Sequence, residues 1–150
     1  MNGTRRAFCA LALAGVFALV ARAAAAEDDP ARWVDPLVGT DRMGHTFPGA
    51  TVPFGMVQLS PDTRHLPMFD ADGRYVPEVY GYCAGYQYGD STIVGFSHTH
   101  FSGTGHSDLG DVSLLPFLGA IDLAEPRAAA FDHAGESAAP GSYAVDLEGG

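Results

Sequence analysis

Lysine does not occur in this chain of 150 residues; its eight basic residues are all arginine, set against eighteen aspartates and glutamates. Three of those arginines (Arg5, Arg6 and Arg22) fall within the first 26 residues, which hold no acid, so residues 27–150 carry five basic side chains against all eighteen acidic ones. Binding a phosphate backbone needs a basic footprint, and its absence excludes nucleic acid as a partner. The arginine-only usage reads as a compositional bias of the genome and carries no function. Cysteine is almost as scarce, with only Cys9 and Cys83. If Cys9 leaves with an export signal, Cys83 has no intrachain disulfide partner, and it reads as a small buried residue with no activating base beside it in the sequence.

Two further absences concern structure. No apolar period of 3.6 persists over the ten or more residues that a helix needs. Only one long hydrophobic run occurs, residues 7–21, and it is short of the roughly 20 apolar residues of a membrane-spanning helix. Preceded by Thr4-Arg5-Arg6-Ala7-Phe8 and followed by Arg22 and four alanines, it reads as a twin-arginine-like export signal over residues 1–26. Cleavage near Ala26 is expected, with no membrane segment afterwards and a periplasmic or secreted mature chain.

What remains is a set of short β-branched and aromatic runs separated by Gly, Pro and Asp clusters. Residues 51–59, 86–88, 91–99, 112–118 and 142–147 are expected to be strands, with residues 60–79 a long loop. Only residues 128–130 look helical, and residues 131–140 break that patch. The expectation is an all-β domain, a β-sandwich over residues 27–150. Because the last run meets Glu148-Gly149-Gly150 as though a hairpin had started without its returning strand, an incomplete sandwich is expected, and the chain reads as a fragment.

The densest chemistry lies in residues 95–111, where three histidines, two aspartates and four glycines share seventeen positions. If the strand from Ser91 continues through them, His98 and His100 project from one face. The glycines after them favour a loop whose backbone approaches a ligand closely. Recognition of sugar hydroxyls, a buried structural role and a metal site with His106 and Asp108 all remain open for these histidines. Asp108 and Asp111 read as turn residues before the next strand, and His65 and His133 have no company that suggests a role.

Four stretches together resemble the N-terminal domain of glycoside hydrolase family 92: residues 34–40 (Val-Asp-Pro-Leu-Val-Gly-Thr), residues 44–63 (Gly-His-Thr-Phe-Pro-Gly-Ala-Thr-Val-Pro-Phe-Gly-Met-Val-Gln-Leu-Ser-Pro-Asp-Thr), residues 83–86 (Cys-Ala-Gly-Tyr) and residues 90–105 (Asp-Ser-Thr-Ile-Val-Gly-Phe-Ser-His-Thr-His-Phe-Ser-Gly-Thr-Gly). They stand in order over residues 33–118. The resemblance implies an exported, calcium-dependent exo-α-mannosidase that acts with inversion on mannose-containing glycans. It also implies an N-terminal β-sandwich packed on an (α/α)6 barrel, with the carboxylate pair and the calcium ligands mainly in that barrel. No metal ligand and no catalytic residue of this chain is implied. The motif positions assign substrate contact to Phe54, Tyr80, Tyr82, His98, His100, Ser102, Gly103, Thr104 and Gly105. Family members often carry Trp where this chain has Tyr80, a departure that bears on the leaving-group subsite, although a tyrosine still stacks on a sugar. A free-standing periplasmic carbohydrate-binding or adhesion module is the alternative from another class, and a transition-metal-binding protein a third.

Overall fold

The hydrophobic residues that find one another are few. Tyr86, Ile93 and Phe131 form the buried core, with Leu37, Phe96, Leu115, Val145 and Leu147 packed around it. Each such side chain contributes about 1.5–3 kcal/mol when fully withdrawn from water. The computed structural model describes residues 29–51, 55–103, 112–120 and 127–148. The expected export signal, Phe54, Thr104, Gly105, His106, Asp108 and Asp111 lie outside the described residues.

The chain divides into two compact units, residues 1–33 and 34–150. In the first, the described part is a 3-10 helix, Pro30–Trp33, with Arg32 over the Trp33 ring. The second holds two antiparallel three-stranded sheets. One pairs β1 (Ser60–Asp62), β3 (Gly95–Ser97) and β4 (Ser113–Leu114) in that order; the other pairs β2 (Thr92–Ile93), β5 (Ala129–Ala139) and β6 (Ser142–Leu147). The all-β expectation holds. β2 and β3 are consecutive, so one short segment passes from one sheet into the other at Val94, whose N–H donates to the Asp62 carbonyl.

Several boundaries differ from the sequence reading. Residues 51–59 do not form the expected strand among those described; the pairing starts at Ser60, beyond a single bridge between Ala50 and Leu59. Pro61 is tolerated there because β1 is a sheet edge, where a missing N–H breaks no ladder. Residues 86–88 are irregular, and 60–79 is not one loop, since Pro77–Tyr82 forms a 3-10 helix with proline at its start. The eleven-residue β5 was missed because it is rich in alanine and interrupted by Gly135, with a register shift between Phe131 and Glu136. The expected unpaired final strand is also corrected. β6 is itself the returning strand, pairing Ala139 with Ser142 through the Pro140-Gly141 turn.

Candidate functional site

Three of the four motifs converge beside β1 and β3. Asp62 lies at the end of β1, and its Oδ1 stands 3.0 Å from His100 Nε2. Ser97, the last residue of β3, places its Oγ 3.0 Å from the same nitrogen. His100 Nδ1 is 2.7 Å from the Gln58 carbonyl oxygen. A carbonyl only accepts, so Nδ1 carries a hydrogen and donates it. The Asp62–His100 contact therefore holds a second proton between Oδ1 and Nε2, since a bare carboxylate and a bare ring lone pair would repel. Serine, histidine and aspartate are all present, yet both oxygens face one nitrogen, whereas a nucleophilic relay needs them on opposite sides of the ring.

Above this pair lies Gly85 with φ +82°. A Cβ there would run into Asp62 Oδ1 and the His100 ring, so glycine is required both for the left-handed backbone and for the close approach. The loop is fastened to β1, as Thr63 N–H donates to the Gly85 carbonyl at 2.9 Å and Gln87 N–H to Thr63 Oγ1 at 3.1 Å. The 3-10 helix ends on Tyr82, and Cys83 follows it. A cleft of about 150 Å³ opens here, lined among others by Asp62, Arg64, His65, Tyr82, Cys83 and His100. The Arg64 guanidinium lies 5.4 Å from the Tyr82 ring centre, and the Tyr82 hydroxyl donates to Asp90 at 3.4 Å. Burial, followed by the hydrogen bond to Asp90 and its charge, raises the Tyr82 pKa above the ordinary tyrosine value.

His98 and His100 do not share a face. β3 stops at Ser97, so the alternation expected to align them ends one residue too soon. His98 turns its Nδ1 to the Val112 carbonyl at 3.1 Å, while His100 is buried, 6% exposed. Tyr80 meets the His45 ring edge-on at 4.8 Å. Ser102 and Gly103 are exposed, and Gly103 N–H donates to the His45 carbonyl at 2.6 Å. Of the sequence-predicted contacts, the cleft brings together Tyr82 and His100. Asp62, Arg64, His65 and Cys83 were not singled out for it. Asp62 was legible as the carboxylate of the Ser60-Pro61-Asp62-Thr63 motif, but nothing in the spacing marks Arg64 or His65. Among the described residues no group of three or more His, Cys, Asp or Glu side chains is placed to hold a metal ion.

A second polar cluster also escaped the sequence reading. Glu136, with its side chain 1% exposed, accepts hydrogen bonds from Tyr86 (2.8 Å), Tyr143 (2.7 Å) and His133 Nδ1 (2.6 Å). Tyr88 stacks on His133 at 4.0 Å. The cluster ties the loop after the cleft to the β5–β6 hairpin.

Fold and cleft together define an antiparallel all-β domain with a polar cleft walled by one aromatic ring. Residues 33–150 match the glycosyl hydrolase family 92 N-terminal domain. An uncharacterized secreted glycosidase of Arthroderma benhamiae is 38% identical over 141 residues, which span 88% of this chain and 16% of that protein. A family GH92 α-mannosidase of Bacteroides thetaiotaomicron, solved in complex with mannoimidazole, matches at 38% identity with a TM-score of 0.64, over 78% of this chain and 15% of its own. A second GH92 glycosyl hydrolase gives 33% and 0.59, over 79% of this chain and 14% of its own. The chain belongs to glycoside hydrolase family 92 and carries its N-terminal domain; it spans less than a fifth of the length of these relatives. No helix among the described residues is long and apolar enough to cross a membrane.

Proposed function

We propose that this domain shapes the substrate pocket of an exported, calcium-dependent α-mannosidase that acts on mannose-containing glycans with inversion, and performs no chemistry alone. The observation that carries the reading is the state of the cleft's carboxylate. Inversion requires two carboxyl groups about 6.5–9.5 Å apart, one protonating the leaving oxygen and one activating water. Among the described residues the cleft offers one, Asp62, and His100 already occupies it. What the cleft does offer is a tyrosine ring, a guanidinium, an imidazole and hydroxyls, the mixture that grips a polyol. At about 150 Å³ it is also smaller than the roughly 300–1,000 Å³ of a complete ligand site. A second domain, an (α/α)6 barrel in this reading, supplies the other wall and both carboxylates.

Calcium enters only as a group held by that second domain. In this reading that domain supplies the six to eight oxygen ligands that calcium prefers. The similarity to α-mannosidases, one bound to mannoimidazole, supports mannose as the sugar, and the secreted relative supports export. Incubating this chain alone with an aryl α-mannoside is expected to release no phenol, and appreciable turnover overturns the division of labour. In a polypeptide that includes the second domain, proton NMR during hydrolysis is expected to show β-mannose first.

A further inference from the structure

The chain leaves the cleft wall at Leu66 and returns to it at Val79, both of which line the cleft. Between them, residues 68–76 form a small hairpin on the rim. Asp70 N–H donates to the Arg74 carbonyl at 2.8 Å, and Val76 N–H to the Met68 carbonyl at 3.0 Å. Phe69 and Tyr75 are paired between those two bonded positions, an arrangement that sets their side chains close together on one face. Their rings meet edge to face, with 6.4 Å between centres and 73° between planes. Even so, Phe69 is 55% exposed and Tyr75 48%. Neither belongs to the core around Tyr86, Ile93 and Phe131. The hairpin is stiffened instead by its own polar groups. Asp70 Oδ1 accepts the N–H groups of Asp72 and Arg74 at 2.9 and 2.8 Å, and the Arg74 guanidinium pairs with Asp72 at 2.7 Å. Singly exposed apolar side chains are ordinary on a protein surface. Two rings held together on a stiff hairpin at the mouth of a cleft form a preorganised surface, which binds at little ordering cost.

We propose that the hairpin of residues 68–76 is a specificity element, on which Phe69 and Tyr75 seat the sugars of an α-mannose chain that lie beyond the one held in the cleft. This rests on the pocket reading given above. The cleft measures about 150 Å³, so the remainder of a glycan has to leave past its rim. Phe69 follows Leu66 by three residues and Tyr75 precedes Val79 by four. At about 3.3–3.6 Å per residue, their backbones stand no more than about 11 and 14 Å from the cleft wall. The apolar C–H side of a sugar ring packs on an aromatic face, and the Tyr75 hydroxyl supplies a polar group at the edge of the same surface. The consequence is a preference for longer mannosides, expressed in binding and not in the chemical step.

The test measures initial rates of mannose release from methyl α-mannoside and from a linear α-mannotetraose, using a polypeptide that includes the second domain. The unaltered protein is expected to show the lower KM on the tetraose. Phe69→Ala and Tyr75→Ala are each expected to raise that KM about fivefold, the loss of one aromatic contact, and to leave the KM for methyl α-mannoside unchanged. Tyr75→Phe keeps the ring and is expected to stay within about twofold of the unaltered protein on the tetraose. Because KM does not depend on the fraction of molecules that are folded, partial unfolding of a variant does not imitate this result. Equal changes on both substrates, or no change on either, overturn the proposal. So does a lower melting temperature accompanied by loss on both substrates, which would assign the two rings to contact with the second domain. In each of those cases the unaltered protein still hydrolyses methyl α-mannoside, and the pocket reading stands. If the unaltered protein releases mannose from neither substrate, both readings fall together.

Discussion

Asp62 and His100 lie 38 residues apart in the chain and 3.0 Å apart in space. That contact joins β1 to the segment after β3, with the His100 side chain 4% exposed and that of Asp62 12%. The pair is a clamp under the Gly85 loop, so the shape of the cleft depends on it.

Removing one member is expected to cost far more than replacing it with a neutral partner. Asp62→Ala takes the carboxylate from His100 Nε2 and leaves it only the Ser97 hydroxyl in a largely buried place, at about 3 kcal/mol. Asp62→Asn keeps a hydrogen bond, since an amide donates to a neutral Nε2, and is expected to cost about 1–2 kcal/mol. Urea unfolding of the two variants checks this, and equal losses would contradict the clamp.

Gly85→Ala faces both a φ of +82° and a collision with Asp62 and His100. Gly73→Ala faces a similar φ of +76° with nothing within 4 Å of the new methyl group. The Gly73 variant is expected to lose about 1 kcal/mol from backbone strain alone. The Gly85 variant is expected to lose at least about 2 kcal/mol more, as in other overpacked sites. Thermal melts of both separate the collision from the strain.

How far the sequence reaches is visible in His98 and His100. Their motif marked a region that folds beside the cleft, and the all-β class followed from the lack of any helical period. The face they occupy did not follow, because alternation holds only while a strand lasts, and β3 ends at Ser97. β5 was hidden for a related reason. Its alanines and Gly135 carry little strand propensity, and its place is set by pairing with β6 and by Glu136. Long-range polar contacts such as Tyr86 to Glu136, 50 residues apart, leave no local signature at all.

Glu136 is expected to matter as much as a core residue. Its carboxylate satisfies two tyrosine hydroxyls and a histidine N–H at once. Glu136→Ala strands all three donors, at about 3–5 kcal/mol. Glu136→Gln retains an acceptor oxygen for the tyrosines but turns an amide toward His133, at about 1–2 kcal/mol. Amide hydrogen exchange along β5 and β6 is the more local readout. Faster exchange confined to residues 129–147 in Glu136→Gln is expected, because the cluster fastens that hairpin to Tyr86.

The same cluster predicts how stability responds to alkali. Burial is the largest cause that raises the pKa of Tyr86 and Tyr143 well above the ordinary 10.0, followed by their hydrogen bonds to Glu136 and its charge. Above pH 10 the unfolded chain releases these two protons while the folded chain keeps them, so the unfolded state gains. Stability is therefore intact below about pH 10 and falls above it, by up to about 1.4 kcal/mol per pH unit for each tyrosine. Absorbance at the tyrosinate band should show Tyr86 and Tyr143 failing to titrate until the protein unfolds, with Tyr82 lagging among the other four tyrosines. In Glu136→Gln both should titrate earlier, though still late, because burial outweighs the carboxylate. Six tyrosines titrating together near pH 10 in folded protein would mean that neither hydroxyl is held as described.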